Sequence, residues 1–313
     1  MTDGTATAAP AGSSGGTVLS ARGPAGIAAA QAVEDYWTPQ RMVAAVPDDT
    51  TLPAGAKPDT LNPAERAAAE AIVAAPQAPR RPGGAITQDA AFSYTTGKVF
   101  YTLPGGGGAS CSGSAIASTR RRLVVTAAHC AWKQGASAPL QNWLFVPGYQ
   151  NGGGRNAPGP RGKFTLFNVS VWSQWLNDGQ YSYDYAFVVT NNSDLGQRVV
   201  DAVGGHGLAA NANYPYVHAA GYPGNLGGAE IQWYCWGDTS RKSRPNPDAA
   251  LDCPMRAGSS GGPWLRDYDH STGRGWAVGV TSYDLGGDLL YSPYFDNDTT
   301  ALYNSAEAAS PAS

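Results

Sequence analysis

Long apolar runs are missing from this sequence. None approaches the roughly 18 residues that a membrane-spanning helix needs, so the chain reads as soluble with no membrane partner. Charge is scarce as well: Asp, Glu, Lys and Arg make up 14% of the 313 residues, against about a quarter in an ordinary soluble chain. With 21 Lys+Arg against 24 Asp+Glu there is no positive footprint for a phosphate backbone, which removes nucleic acid from the expected partners. Only 4 cysteines are present and none has CxxC spacing, which argues against zinc and against a thioredoxin-like redox centre. The first 30 residues lack a basic stretch followed by an apolar one. Either the protein is not exported, or its signal is already gone from this sequence.

What the chain does have is 40 Gly and 23 Pro, a composition of turns and strands rather than long helices. Aromatic residues divide it. Before Phe92 only Tyr36 and Trp37 occur, in a region that is about a quarter Ala, so the main core is expected after residue 92. We therefore read 1–91 as an N-terminal region with a linker and 92–313 as the main domain. Met1 to Gly26 reads as disordered, having too little apolar content to offset the entropy of ordering. Thr38-Pro39 and Asn62-Pro63 each place a capping side chain before a proline suited to a first helical turn, and the second helix is expected over Pro63 to Ala75. The Pro-rich stretch Pro76 to Gly84 reads as an exposed linker.

From residue 97 onward, short β-prone runs alternate with Gly, Pro, Asn and Asp. They include Gly97–Leu103, Leu123–Thr126, Asn142–Val146, Lys163–Val171, Asp184–Thr190, Glu230–Tyr234 and Trp276–Ser282. Many short strands without helices between them argue for an all-β antiparallel sandwich or barrel pair. Only Thr299 to Ala309 reads as helical. The four cysteines allow three pairings. The nearest-neighbour choice, Cys111–Cys130 and Cys235–Cys253, closes two loops of about 20 residues, each worth roughly 3 kcal/mol in the chain-entropy account, and needs an oxidising compartment. Four free buried thiols are the alternative.

The segment most suggestive of chemistry is Arg256-Ala-Gly-Ser-Ser-Gly-Gly-Pro-Trp264. A serine in a glycine-rich turn has little steric cover, and its neighbours let backbone N–H groups converge near Oγ. The same stretch satisfies G-x-S-x-G, the serine elbow of α/β-hydrolases, but that architecture needs its acid and then its histidine later in the chain. The only later histidine is His270, ten residues on, so the elbow reading fails. Upstream, Leu123-Val-Val-Thr-Ala-Ala-His-Cys130 puts His129 directly after an apolar strand, and Asp184 heads Tyr-Ala-Phe-Val-Val189. The order His129, Asp184, Ser260 is one of the known orders of a catalytic triad. In that reading His129 takes the proton of Ser260 and passes it to the leaving amine, Asp184 fixes the imidazole tautomer, and the N–H groups of Gly258 and Ser260 receive the oxyanion.

These blocks, Thr126-Ala-Ala-His-Cys130, Asp184-Tyr-Ala-Phe-Val188, Gly258-Ser-Ser-Gly-Gly-Pro263 and Val278-Gly-Val-Thr-Ser282, resemble the signatures of chymotrypsin-type (trypsin-like) serine proteases. Asn142 to Gly152 resembles the secreted bacterial branch related to the glutamyl endopeptidases. Tyr36-Trp-Thr-Pro-Gln-Arg-Met42 resembles a pro-region motif of actinobacterial exported proteases. The resemblance implies two six-stranded antiparallel β-barrels, the first over about 97–200 and the second over about 201–298. A C-terminal helix over about 299–309 follows, and a pro-region precedes the barrels. It implies a secreted, monomeric endopeptidase acting through an acyl-enzyme, with polypeptide substrates and its own pro-region as partners and no cofactor or metal. It also implies that Ser282 lies beside Asp184 and that the backbone of Ser282 to Asp284 pairs with substrate as an added strand.

Two departures from the family pattern matter. Ser259 stands where the digestive enzymes carry the Asp that pairs with a freshly cut N-terminus, so activation by that ion pair is excluded. Pro254 stands where an acidic residue would select Lys or Arg, and no histidine occupies the pocket strand to favour Glu. Met255, Thr281, Tyr283 and the Gly286-Gly287 wall imply an apolar or small pocket. His206, His218 and His270 read as packed or surface residues, and Asp267/Asp269 and Asp296/Asp298 as turns rather than calcium ligands. A catalytically silent binding protein on the same fold, or a protease that cuts only its own linker, are the rival readings.

Overall fold

The computed structural model describes residues 16–24, 26–48, 69–79, 93–152, 161–213, 215–241, 248–285 and 287–311. Six strands form a closed antiparallel barrel in the order Phe164–Trp172, Gln141–Pro147, Thr96–Thr102, Gly108–Ile116, Leu123–Thr126 and Ala186–Thr190, with the last pairing back to the first. The β-branched and aromatic runs read from the sequence supply these strands, and Leu123–Thr126 is buried at every position. Val99, Tyr101, Val125, Phe145, Val169 and Phe187 meet in one core.

The second half is built from two sheets. A six-stranded one runs Trp233–Asp238, Tyr216–Gly221, Pro263–Asp269, Arg274–Val280, Gly207–Ala210, Ala71–Ala74. A four-stranded one runs Ser240–Arg241, Ala249–Asp252, Leu289–Ser292, Tyr283–Asp284. Val217 and Trp264 from the first sheet and Leu251 and Leu290 from the second share a common apolar cluster. The helix Asn297–Ala309 closes the chain, capped by Asp296 in a capping box with Thr299. It packs Leu302, Tyr303 and Ala306 into the barrel's core, and Tyr303 donates to the Ala117 carbonyl at 2.9 Å. Among the described residues no helix is long and apolar enough to cross a membrane.

The N-terminal region is more ordered than its composition suggests. Val18–Arg22, expected as disordered, is a strand paired antiparallel to Phe164–Trp172, because a ladder supplied by the barrel completes backbone hydrogen bonds that composition cannot foresee. A helix, Ile27–Tyr36, follows it. Thr38 caps the helix Pro39–Val43 as expected. The helix expected over Pro63 to Ala75 is corrected where it is described. Ala71–Ala74 is a strand on the edge of the six-stranded sheet, where Ile72 and Val73 suit a pleat better than a helix. Residues 63–68 lie outside the described residues, as do 80–84 of the linker. The strand expected over Glu230–Tyr234 begins instead at Trp233, since the Glu230 carboxylate is drawn to Lys98 at 3.1 Å and Gln232 accepts from the Ser93 amide.

His206 is fully buried where the two halves meet, its ring within 3.3 Å of Thr96 Oγ1. Burial, helped by Arg274, pushes its pKa down to about 3. An unfolded histidine binds its proton near pH 6.5, so below that value the unfolded chain takes up a proton the folded one refuses. Stability is therefore expected to fall as pH drops from about 6.5 towards about 3. Denaturant melts at pH 7, 5.5 and 4 should show a shallower decline in the His206→Gln variant than in the wild-type chain.

Candidate active site

The three residues singled out by chain order sit on three different local structures. His129 lies in the turn Ala128–Cys130, directly after the strand Leu123–Thr126. Asp184 ends the turn Tyr181–Tyr183, just before the strand Ala186–Thr190. Ser260 lies in the glycine-rich turn that feeds the strand Pro263–Asp269. The barrel thus carries the imidazole and the carboxylate, and the second half carries the hydroxyl.

Asp184 is completely buried and fully engaged. One carboxylate oxygen accepts the His129 backbone N–H at 2.8 Å. The other faces His129 Nδ1 at 2.7 Å and accepts Ser282 Oγ–H at 2.5 Å. An ionised carboxylate only accepts, so Nδ1 carries a proton, and in the neutral imidazole Nε2 is then the nitrogen that can accept. The expected neighbour Ser282 is therefore beside Asp184. His129 Nε2 and Ser260 Oγ are both buried, and among the described residues neither has a hydrogen-bond partner. The contact between them that proton transfer requires is thus not made in this conformation. Catalytic hydrogen bonds of this kind commonly tighten only when substrate is bound.

Glycines bring the serine turn against the barrel. At Gly261, φ is +78°, and a Cβ would lie 2.1 Å from Thr126 Oγ1 and 2.4 Å from the Ser112 carbonyl oxygen. Any side chain there would push Ser260 away from the histidine turn. Ser112 N–H donates to the Ser260 carbonyl at 2.7 Å, and Ser112 Oγ donates to the Gly258 carbonyl at 2.8 Å. The disulfide Cys111–Cys130 joins the Ser112 strand to the residue after His129, and Cys235–Cys253 is also formed, both as paired from the sequence.

The expected substrate-contact residues divide into two groups. Tyr283–Asp284 forms the edge strand of the four-stranded sheet, with one side paired to Leu289–Ser292. Ser282 N–H is turned inward to the Tyr291 carbonyl at 2.9 Å. The Tyr283 ring is buried, stacked on Tyr291 at 4.9 Å, with its hydroxyl donating to Asp248. Thr281 Oγ1 accepts from Trp264 Nε1 at 3.0 Å, and Met255 is packed in the apolar cluster with Leu251 and Leu290. Asp269 accepts from Ser271 and Thr272 in a turn, as read from the sequence, whereas Asp296, also read as a turn residue, caps the C-terminal helix.

Three residues at the site carry no signal in the sequence. Asp48, from the N-terminal region, sets its carbonyl oxygen 2.8 Å from the Gly258 N–H, one of the two donors expected to face an oxyanion. Its carboxylate accepts from the Tyr101 hydroxyl and from Lys133 Nζ, the latter at 2.5 Å. Burial would raise the pKa of that carboxyl, but the positive surroundings, the Lys133 ammonium among them, and the two hydrogen bonds outweigh it and hold it below the usual range.

Neither a protein-family model nor a curated protein sequence matches the chain. Solved structures do. The thermostable serine protease AL20 from an extremophilic microorganism is 26% identical over 69% of this chain and 98% of its own, with a TM-score of 0.62. Protease Anisep from Arthrobacter nicotinovorans is 31% identical over 74% of this chain and 99% of its own, with a TM-score of 0.61. A Glu endopeptidase, at 21% identity over 72% of this chain and 96% of its own with a TM-score of 0.55, shares the fold. The chain belongs to the chymotrypsin-like serine proteases. Within that family it is a serine endopeptidase of the bacterial kind.

Ser282→Ala removes one of three donors to a buried carboxylate, a loss of about 1.5 to 3 kcal/mol for a charge-assisted bond. Thermal melts are expected to show a lower Tm. Peptide kinetics are expected to show a reduced kcat with little change in KM, because imidazole orientation suffers before substrate contact does.

Proposed function

We propose that the chain hydrolyses peptide bonds through an acyl-enzyme formed on Ser260, with His129 as base and Asp184 as its orienter. The observation that carries this reading is the clamp on His129. Asp184 binds both its backbone N–H and its Nδ1, at 2.8 and 2.7 Å, which leaves Nε2 as the acceptor in a buried crevice. As substrate binds, Nε2 accepts the Ser260 hydroxyl proton while Oγ attacks the carbonyl carbon. The oxyanion forms against the N–H groups of Gly258 and Ser260, each such donor being worth about 3 to 4 kcal/mol. His129 then returns the proton to the departing amine, and water repeats the cycle to release the acid. Substrate lies extended along the edge strand Tyr283–Asp284, adding a strand where the sheet has none.

We place residues 1–91 as a pro-region whose described parts cover the catalytic domain of residues 92–313, and we place the mature enzyme outside the cell. Two disulfides favour an oxidising compartment. The pocket beside Thr281 and Met255 holds no charged side chain from these two positions and suits a small or apolar residue.

A fluorophosphonate is expected to label Ser260 and no other serine, as read by peptide mass mapping. Ser260→Ala is expected to abolish both labelling and hydrolysis of a denatured protein mixture, with a residual rate down by about 10⁶. Undiminished hydrolysis by that variant overturns the mechanism, and absence of hydrolysis on any substrate, also after the N-terminal region has been cleaved off, favours the binding-protein reading.

A further inference from the structure

The Asp48 contacts describe a binding site as well as an occupant. Lys133 lies four residues beyond His129, and the Tyr101 hydroxyl stands 3.2 Å from Cys111 Sγ, in the disulfide that fastens the histidine turn. Both groups therefore belong to the barrel wall on the His129 side of the nucleophile. The strand Tyr283–Asp284, which the proposed function gives to the acyl half of the substrate, lies in the second half of the molecule. The amine that leaves must pass His129, since His129 protonates it. The Lys133 and Tyr101 wall thus flanks the leaving half of the substrate.

We propose that Lys133 and Tyr101 form a carboxylate-binding subsite that selects an acidic residue, Asp or Glu, just beyond the scissile bond. In the intact chain, Asp48 fills this subsite and holds it closed to substrate. Several features support a built site over a chance surface pair. Tyr101 is fully buried, so its hydroxyl has a fixed direction, and it converges with Lys133 on the same oxygen of Asp48. The Asp48 side chain is itself only 15% exposed, and Lys133 29%. The occupant is anchored on both sides of its carboxylate: its N–H donates to the Ser110 carbonyl, and its carbonyl accepts from Gly258, each at 2.8 Å. The preceding Val46–Pro47 pairs with Ala109–Ser110 as a parallel strand. A substrate must displace this segment to reach the Gly258 N–H.

The inference rests on the proposed hydrolytic reading, and the test separates the two. Pairs of peptides identical but for Asp or Asn at the first or second position after the cleaved bond are compared on the full chain carrying Asp48→Ala, with and without Lys133→Met. The expected ratio of kcat/KM for Asp over Asn is about 10 or more in the single variant, as for a charge-assisted bond, and near 1 in the double variant. The wild-type chain is expected to cut both peptides more slowly than Asp48→Ala does. Asp48→Asn, equal in size, repeats the comparison where Asp48→Ala fails to fold. Calorimetric binding of the same peptides to a Ser260→Ala, Asp48→Ala chain reads the subsite without hydrolysis. Cleavage or binding with no Asp preference, or a preference untouched by Lys133→Met, overturns the subsite. Peptide binding with the expected preference but no hydrolysis by any chain that keeps Ser260 overturns the catalytic reading alone.

Discussion

The buried carboxylate of Asp184 is the constraint around which this molecule is arranged. Removing an ionised carboxyl from water is tolerable only where its lone pairs are met by well-placed donors. Here they come from the His129 backbone, the His129 ring and Ser282. Two of these belong to the barrel and the third to the second half of the chain. The electrostatic demand of one side chain therefore ties together two regions that, among the described residues, share no continuous sheet. It also decides which imidazole nitrogen remains to accept a proton. Solvation of Asp184 and orientation of the His129 ring are one structural event.

Bringing the Ser260 turn against the barrel that carries His129 is a problem of clearance. The barrel presents Thr126 Oγ1 and the Ser112 carbonyl to the glycine-rich turn, leaving no volume for a side chain at Gly261. Ser112 holds the turn from two directions, and the Cys111–Cys130 bond ties the same strand to the histidine turn. Ser260 and His129 are thus referenced to one short stretch of barrel, not to each other. That arrangement explains how their mutual hydrogen bond can be open while both neighbourhoods stay fixed.

Most of the barrel and the pairing of His129 with Asp184 were legible in the sequence because short-range signals coincide with long-range structure there. An apolar strand ending at His129, an aspartate heading another strand and a serine among glycines each have local causes. The pairing of cysteines followed from proximity along the chain. The N-terminal strands were not legible for the opposite reason. Val18–Arg22 and Ala71–Ala74 are stabilised by the strands they join, Phe164–Trp172 and Gly207–Ala210, and no window of their own sequence contains that partner. Asp48 was invisible for the same cause. An aspartate after a proline looks like a turn, and only the fold brings Lys133 and Tyr101 to it.

The early motif Tyr36-Trp37-Thr-Pro-Gln-Arg-Met42 has a physical account in this frame. Trp37 and Met42 are each 1% exposed, and they join Phe100, Leu144, Val146 and Tyr149 in a cluster on the barrel. Trp37 Nε1 also donates to the Asn142 carbonyl at 2.6 Å. Thr38 and Pro39 then start a single helical segment, Pro39–Val43, that turns the chain towards Val46. Burying an aromatic ring and a thioether contributes on the order of 2 to 3 kcal/mol apiece. Asp48 follows Met42 by only six residues, so this anchor raises its effective concentration at the Lys133 site far above that of any free peptide. Holding power therefore resides mainly in the apolar anchor, while the choice of what sits beside His129 resides in the carboxylate. In the proposed pro-region reading, separating the two roles lets a weak polar contact be exchanged for substrate once the anchor is lost, with the surroundings of His129, Asp184 and Ser260 unchanged.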